Sequence, residues 1–166
     1  APIDPRGPLM RSDDNGDTWT PITRPDVNEL GPFAAYGDRL YACSRSSVEV
    51  YWSRDAGETW ALFGQATTPG IYHVYVIMEW REAVYVGTND GLYLTRDGGG
   101  TWTRAEGGLG TRADVVDLEA AGDTLLALVE NQGVYRSADG GDSWRRALTI
   151  EKLTDVRRAQ FVEQQM

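Results

Sequence analysis

Apolar and polar residues alternate over short runs along most of this chain, and turns rich in Gly and Asp separate the runs. A period of two places successive side chains on opposite faces of a strand, so each run predicts a β-strand. The runs fall into three groups of three. They cover residues 32–36, 39–43 and 48–52, then 71–78, 83–87 and 91–95, then 115–119, 124–129 and 133–137. The short Gly-Asp turns at 37–38 and 122–123 predict that neighbouring strands form antiparallel hairpins.

An eight-residue motif follows the third strand of each group and also occurs once before the first group. Its pattern is Ser/Thr-x-Asp-x-Gly-x-Thr/Ser-Trp, and its tryptophans are spaced by 41, 42 and 42 residues. A fourth strand is expected directly after each tryptophan. The residues that define the four copies are Ser12, Asp14, Gly16 and Trp19; Ser53, Asp55, Gly57 and Trp60; Thr95, Asp97, Gly99 and Trp102; and Ser137, Asp139, Gly141 and Trp144.

The residue types of the motif are those of a turn. An Asp carboxylate accepts hydrogen bonds from backbone N–H groups just ahead of it, and a Ser or Thr hydroxyl binds further backbone groups. Gly adopts positive φ without steric cost, and Trp supplies a large apolar surface that holds the turn against the sheet. We therefore expect the four Asp residues to form turns rather than to act in catalysis.

Four short antiparallel strands in every 42 residues or so are typical of a β-propeller blade, so the sequence predicts an all-β propeller of about four blades. The motif resembles that of the Asp-box (bacterial neuraminidase repeat) β-propellers. This family includes sialidases, xyloglucan-active glycoside hydrolases, sortilin-type receptor domains and photosystem II assembly factors. The resemblance implies that the boxes lie on the face opposite the ligand site. It also favours a secreted or extracytoplasmic location, which no residue of the chain specifies.

The phase of the repeat predicts a single propeller domain, or part of one, over residues 1–166. Full blades are expected at about 32–63, 71–106 and 114–149, with blade remnants at 7–24 and 155–162. The tail also fits a helix with Leu153, Val156 and Ala159 on one face. Three architectures fit this inventory: a small closed ring, a piece of a larger propeller, or a ring shared between chains. We favour a piece of a larger propeller, whose open blade edges would promote self-association.

Composition excludes several classes of function. The chain carries 16 Lys and Arg against 25 Asp and Glu, a net charge of −9, which argues against binding to nucleic acid or to an anionic membrane surface. No apolar run approaches the roughly 20 residues of a membrane-spanning helix. With one Cys and one His, the sequence predicts no metal site, and it contains no cofactor motif.

Polar residues cluster in the loops expected at the end opposite the boxes, where propellers bind ligands. The ligand-binding candidates are Arg45, Tyr72, His73, Asn89, Asp90, Arg112, Glu130 and Asn131. Asp90, Asp114 and Glu130 are the candidates for a glycosidase pair of carboxylates. The alternative is that these side chains are merely solvated, because loops are exposed in any case. Sialidases in the family carry Arg-Ile-Pro ahead of their first box. This chain lacks that segment, and only Arg45, Arg112 and Arg157 are placed to imitate the sialidase arginine triad.

The sequence therefore predicts a binding or scaffold module for a glycan or a protein ligand. The alternative is a glycoside hydrolase of sialidase-like or endoglucanase-like type, so whether the chain is an enzyme stays open. A purely structural assembly factor is the third option.

Overall fold

The computed structural model describes residues 7–27, 29–66, 70–110 and 112–149. This part of the chain consists of 14 strands joined by turns and loops, with no helix. The strands are β1 (Leu9–Arg11), β2 (Thr20–Ile22), β3 (Leu30–Tyr36), β4 (Arg39–Ser44), β5 (Val48–Ser53), β6 (Ala61–Ala66), β7 (Val74–Trp80), β8 (Ala83–Thr88), β9 (Gly91–Thr95), β10 (Thr103–Arg104), β11 (Val115–Ala121), β12 (Thr124–Val129), β13 (Gly133–Ser137) and β14 (Arg145–Thr149).

The strands form four antiparallel sheets that follow one another along the chain. The first sheet has two strands, β1 and β2, and the second (β3–β6), third (β7–β10) and fourth (β11–β14) have four strands each in sequential order. The first strands of the second, third and fourth sheets lie side by side. The predicted all-β blade architecture is confirmed. The strand or helix expected for the tail lies outside the described residues.

One strand differs from the sequence-based expectation. The alternating run 71–78 predicts a strand from Ile71, but β7 begins at Val74 and continues to Trp80. The reason is local, because the amides of Tyr72 and His73 donate to the side chain of Asn89 rather than to a neighbouring strand. Residues 71–73 therefore form a loop in which Ile71 packs against the core and the side chains of Tyr72 and His73 are exposed.

Apolar side chains fill the spaces between consecutive sheets. Between the second and third sheets pack Tyr41, Cys43, Val48, Val50, Val74, Ile77, Val84 and Val86. A larger cluster between the third and fourth sheets includes Tyr85, Leu92, Leu94, Val115, Leu125 and Tyr135. Since burial is the main favourable contribution to folding, these two layers hold the array together. The Cys43 thiol is fully buried, which raises its pKa and suits a packing role.

The four boxes share one set of internal hydrogen bonds. In the second box, Asp55 Oδ1 accepts from Ser53 Oγ at 2.7 Å and from the Thr59 N–H at 2.9 Å, and Oδ2 accepts from Thr59 Oγ1 at 2.5 Å. Ser53 Oγ in turn accepts from the Gly57 N–H at 2.8 Å, and Gly57 has a φ of 90°. The same bonds recur around Asp14, Asp97 and Asp139. The turn chemistry expected from the motif is therefore what these residues form.

Each later box packs on the sheet before it. A Cβ on Gly57 would lie 2.4 Å from Ile22 Cδ1, and one on Gly99 would lie 2.1 Å from the Phe63 carbonyl oxygen. The Tyr85 hydroxyl donates to the Gly140 carbonyl at 3.0 Å. The boxes and the turns after β3, β7 and β11 thus share one end of the sheets, which leaves the other connections at the opposite end.

The described residues contain no helix long and apolar enough to cross a membrane. They also contain no group of three or more His, Cys, Asp or Glu side chains that could hold a metal ion.

Candidate functional site

The loops opposite the boxes are held by one backbone hydrogen bond that recurs in every four-stranded sheet. In each, the residue after the second strand donates its N–H to a carbonyl just ahead of the first strand. The pairs are Arg45 to Glu29 at 2.9 Å, Asn89 to His73 at 3.1 Å, and Glu130 to Asp114 at 2.9 Å. The fold therefore brings equivalent backbone positions together at this end, which we call the loop end, and the side chains there differ from sheet to sheet.

Two carboxyl groups meet at the loop end of the fourth sheet. Partial burial raises the pKa of Asp114, and so do the charge of Glu130 and a hydrogen bond between the two side chains, while His73 acts in the opposite direction. Two adjacent carboxylates repel each other, so one of them holds a proton more tightly. Asp114 and Glu130 form a paired acidic group, which we call the acid pair.

Aromatic rings from the third sheet lie beside the acid pair. His73 stacks on Tyr75 with ring centroids 5.8 Å apart and planes 17° from parallel, and Tyr72 meets His73 edge-on at 6.0 Å. The pKa of Tyr75 is raised by burial and by the charges of Asp114 and Glu130. Tyr72 is 66% exposed, a large fraction for a tyrosine. The loop end therefore presents His73 and Tyr75 near two carboxyl groups, with the exposed ring of Tyr72 against His73.

Asn89 positions these rings. Its Oδ1 accepts from the Tyr72 N–H at 3.0 Å and the His73 N–H at 2.9 Å, and its Nδ2 donates to the Gly70 carbonyl at 3.0 Å. All three bonds go to backbone atoms of the loop before β7. We predicted a ligand contact for Asn89, and the structure shows its side chain engaged in holding this loop.

Asp90 is directed away from the acid pair. Its Oδ2 accepts from the Tyr93 hydroxyl at 3.0 Å, its backbone carbonyl accepts from Arg104 Nε at 2.8 Å, and the Arg104 guanidinium lies 3.8 Å from Oδ1. These partners belong to β9 and β10. Of the three carboxylates expected to converge, the structure joins Asp114 and Glu130 and places Asp90 in a separate ion pair.

The remaining candidates are exposed. Arg45, Arg112 and Asn131 lie at the loop end, and the described residues give none of these side chains a hydrogen bond or an ion pair. Arg112 and Asn131 have φ values of 59° and 58°, so both occupy tight bends. Arg157 falls outside the described residues.

Tyr75 is not among the candidates predicted from the sequence, because it stands within an alternating strand. Its signal is positional, because it follows Val74 just as Val116 follows Val115 in the next sheet. Register equivalence between repeats could therefore have identified it as a residue near the loop end.

The four sheets and their boxes define a β-propeller built from Asp-box repeats. The BNR/Asp-box repeat family model matches residues 51–62, the second box and its flanks. A xyloglucanase from Paenibacillus sp. is 30% identical over 137 residues, which covers 61% of this chain and 13% of that protein.

Solved structures agree on the fold. An ancestral GH74 enzyme superposes with a TM-score of 0.59 at 18% identity, covering 70% of this chain and 18% of that one. YCF48 bound to D1 peptide gives a TM-score of 0.61 at 19% identity, covering 83% of this chain and 47% of that one. YCF48 from Cyanidioschyzon merolae gives 0.60 at 16% identity, covering 84% and 49%. The chain thus spans about an eighth of the xyloglucanase and less than half of each of these structures.

Proposed function

We propose that this chain is a ligand-binding propeller module whose loop end holds a glycan between Tyr72 and the acid pair. The observation that carries the proposal is the exposed ring of Tyr72, which lies edge-on against His73, the ring that acts on the acid pair through Asp114. Asn89 holds the loop that carries Tyr72, so the ring is positioned before a ligand arrives. Preorganisation of this kind lowers the entropy lost on binding.

The chemistry of the two groups suits a sugar. An ionised carboxylate only accepts hydrogen bonds, and sugar hydroxyls are donors that it can orient. An exposed tyrosine ring supplies an apolar face with a polar edge, which matches the C–H face and hydroxyl rim of a pyranose. The similarity to a protein named xyloglucanase supports xyloglucan as the first glycan to test.

Hydrolysis is the second candidate, and the acid pair bears on it. Retaining glycosidases hold their two carboxyl groups about 5–5.5 Å apart and inverting ones about 6.5–9.5 Å apart, with the substrate between them. Glu130 raises the pKa of Asp114 by its charge and by a hydrogen bond, and Asp90 is paired with Arg104. Two acids coupled in this way support the binding proposal, and the cleavage assay tests hydrolysis.

The test is titration calorimetry with xyloglucan oligosaccharides on the chain and two variants. Tyr72→Ala removes the aromatic face and should weaken binding about tenfold, as expected for the loss of about 1.4 kcal/mol. Glu130→Gln should weaken it by a similar factor, because an amide replaces one acceptor oxygen by a donor. Glu82→Gln is the matched control, since Glu82 is an exposed acid in a turn at the box end.

The same samples distinguish the alternatives. Oligosaccharide cleavage that disappears in Glu130→Gln would overturn the binding proposal in favour of hydrolysis. If the parent chain, both variants and the control bind the oligosaccharide with the same heat and affinity, the glycan does not occupy this site. One solved neighbour is a complex with a peptide. A protein partner that binds this chain and is not displaced by glycan would support the scaffold alternative instead.

A further inference from the structure

The first box contains a side chain that can react with its own backbone. Asn15 precedes Gly16 there, and no other asparagine of the chain is followed by glycine. In an Asn-Gly pair the backbone nitrogen of the glycine can attack the asparagine side-chain amide, because glycine has no side chain to hinder the approach. The other boxes carry Ala56, Gly98 and Gly140 at the position of Asn15, so among the boxes this chemistry is specific to the first.

The reaction is a deamidation that consumes only water. A bond forms between the Gly16 nitrogen and Cγ of Asn15, while the bond from Cγ to Nδ2 breaks. The proton of the Gly16 N–H leaves with Nδ2 as ammonia. Water then opens the resulting cyclic imide at either carbonyl. The products are aspartate and isoaspartate, and in isoaspartate the main chain is longer by one carbon atom because it runs through the side chain.

In the closed box the attacking nitrogen is already engaged. The Gly16 N–H donates to Ser12 Oγ at 2.7 Å, and Ser12 Oγ itself donates to Asp14 Oδ1 at 2.8 Å. Reactions at a hydrogen-bonded amide proceed through local openings that break its bond. The closed box therefore keeps Asn15 intact, and deamidation has to wait for an opening that frees the Gly16 N–H.

Exposure to water is a property of this position in the box. Asn15 is exposed, and so are Ala56 and Gly98 at the same position of the second and third boxes. The preceding sheets pack on both of those boxes, where a Cβ on the next glycine would overlap Ile22 or the Phe63 carbonyl. The position thus faces solvent in boxes that are covered by a neighbouring sheet, so water reaches it there as well.

We propose that Asn15 is a deamidation site whose rate is set by the hydrogen bond from Gly16 to Ser12. Either product weakens the first box. Aspartate adds a negative charge to residues 13–17, which already carry three aspartates, and like charges this close repel each other. Isoaspartate moves the Gly16 nitrogen away from Ser12, since the chain between them is longer. Deamidation therefore marks the chains whose first box has opened.

The experiment follows conversion of the Asn15 peptide by mass spectrometry, with the chain incubated folded and unfolded in mildly alkaline buffer. The folded parent should convert much more slowly than the chain unfolded in urea. Ser12→Ala should raise the folded rate about tenfold, the factor expected when the closed box loses one hydrogen bond. Ser12→Thr should keep the parent rate, because Thr95 Oγ1 accepts the same bond from the Gly99 N–H at 3.0 Å in the third box.

Two further hydroxyl deletions are the matched controls. Thr18→Ala removes the hydrogen bond to Asp14 Oδ2 but leaves Ser12 on the Gly16 N–H, and Ser53→Ala removes the equivalent bond in the second box. Both should stay close to the parent rate. Asn15→Ala should show no conversion of this peptide.

Several outcomes would overturn the proposal. One is a folded parent that converts as fast as the unfolded chain, which would mean that the closed box gives no protection. Another is equal rates in the parent and Ser12→Ala. Equal acceleration by Ser12→Ala and Thr18→Ala would mean that any loosening of the box suffices, and that the bond to Ser12 does not set the rate.

Discussion

At the scale of single residues, the box aspartates are the clearest case of a side chain replacing backbone partners. Each accepts two hydroxyl hydrogen bonds and one from an N–H group inside its own eight-residue turn. Hydrogen bonds to the charged form lower the pKa of Asp14, Asp55, Asp97 and Asp139 to about 2, from a model-compound value of 3.8.

This predicts how stability depends on pH. Because the folded pKa is below the unfolded value, the four aspartates stabilise the fold fully above the unfolded value, and this contribution is lost as the pH falls from about 4 to about 2. Urea unfolding at pH 6, 4, 3 and 2 should show a falling free energy of unfolding. Asp55→Asn should be less stable than the parent chain at pH 6, and the difference should shrink toward pH 2. A difference that is constant with pH would contradict the role given to the carboxylate charge.

The candidate site was predictable as a region and less so residue by residue. Hairpin phase alone placed His73, Asp114 and Glu130 at one end of the sheets, because strand direction determines which loops share an end. Asn89 and Asp90 looked like equivalent polar loop residues, yet one holds a loop backbone and the other pairs with Arg104. Their partners come from distant turns and strands, and local sequence does not encode which of these a side chain reaches.

At the scale of elements, the spacing between sheets depends on box glycines at positions that have no room for a side chain. In the third box, Gly98 and Gly99 both have positive φ, at 74° and 92°. A Cβ on Gly98 would meet nothing within 4 Å, whereas one on Gly99 would overlap the Phe63 carbonyl oxygen at 2.1 Å. A side chain at Gly98 would therefore strain only the backbone, whereas one at Gly99 would strain the backbone and also disrupt the packing.

We predict that Gly98→Ala costs about 1–2 kcal/mol of unfolding free energy, the cost of a left-handed conformation for alanine. Gly99→Ala should cost about 1–3 kcal/mol more, because the third box must move off β6. Urea unfolding of both variants measures the difference directly. Equal losses would mean that the box does not depend on close contact with the preceding sheet.

Elements were easier to predict than side-chain partners. Alternation located the strands because burial of one face repeats every second residue. The alternation failed at 71–73, where the Asn89 side chain accepts the hydrogen bonds that a neighbouring strand would accept. It also did not indicate that β10 would contain only Thr103 and Arg104. Strand ends depend on hydrogen bonds that the hydrophobic pattern does not record.

At the scale of the whole molecule, ion pairs join neighbouring sheets with different degrees of burial. Arg39 of the second sheet lies 2.5 Å from Glu79 of the third, and the Glu79 side chain is only 8% exposed. Arg81 of the third sheet pairs with Asp123 of the fourth, where both side chains are mostly exposed. The repeat length predicted the blades, but the angle between sheets, and thus the number of blades in a ring, is not encoded in the spacing of the motif.

We predict that Arg39→Met lowers the free energy of unfolding by about 3 kcal/mol, because it leaves a buried carboxylate without its cation. Arg81→Met should change it by less than about 1 kcal/mol, the usual worth of an exposed pair. Thermal and urea unfolding of the two variants provide the comparison. A large effect of Arg81→Met together with a small effect of Arg39→Met would mean that the exposed pair, and not the buried one, stabilises the contact between sheets.

The contact between a box glycine and the preceding strand has an evolutionary consequence. At Gly99 the neighbouring atom belongs to the backbone of Phe63, so this part of the interface is made by groups that every residue type carries. Substitutions on the strands leave such a contact intact. Copies of the unit can then diverge most freely where the contact is made by backbone, as at Gly99, and less freely where a side chain makes it, as Ile22 does at Gly57. This is consistent with solved propellers that keep the fold at 16–19% identity to this chain.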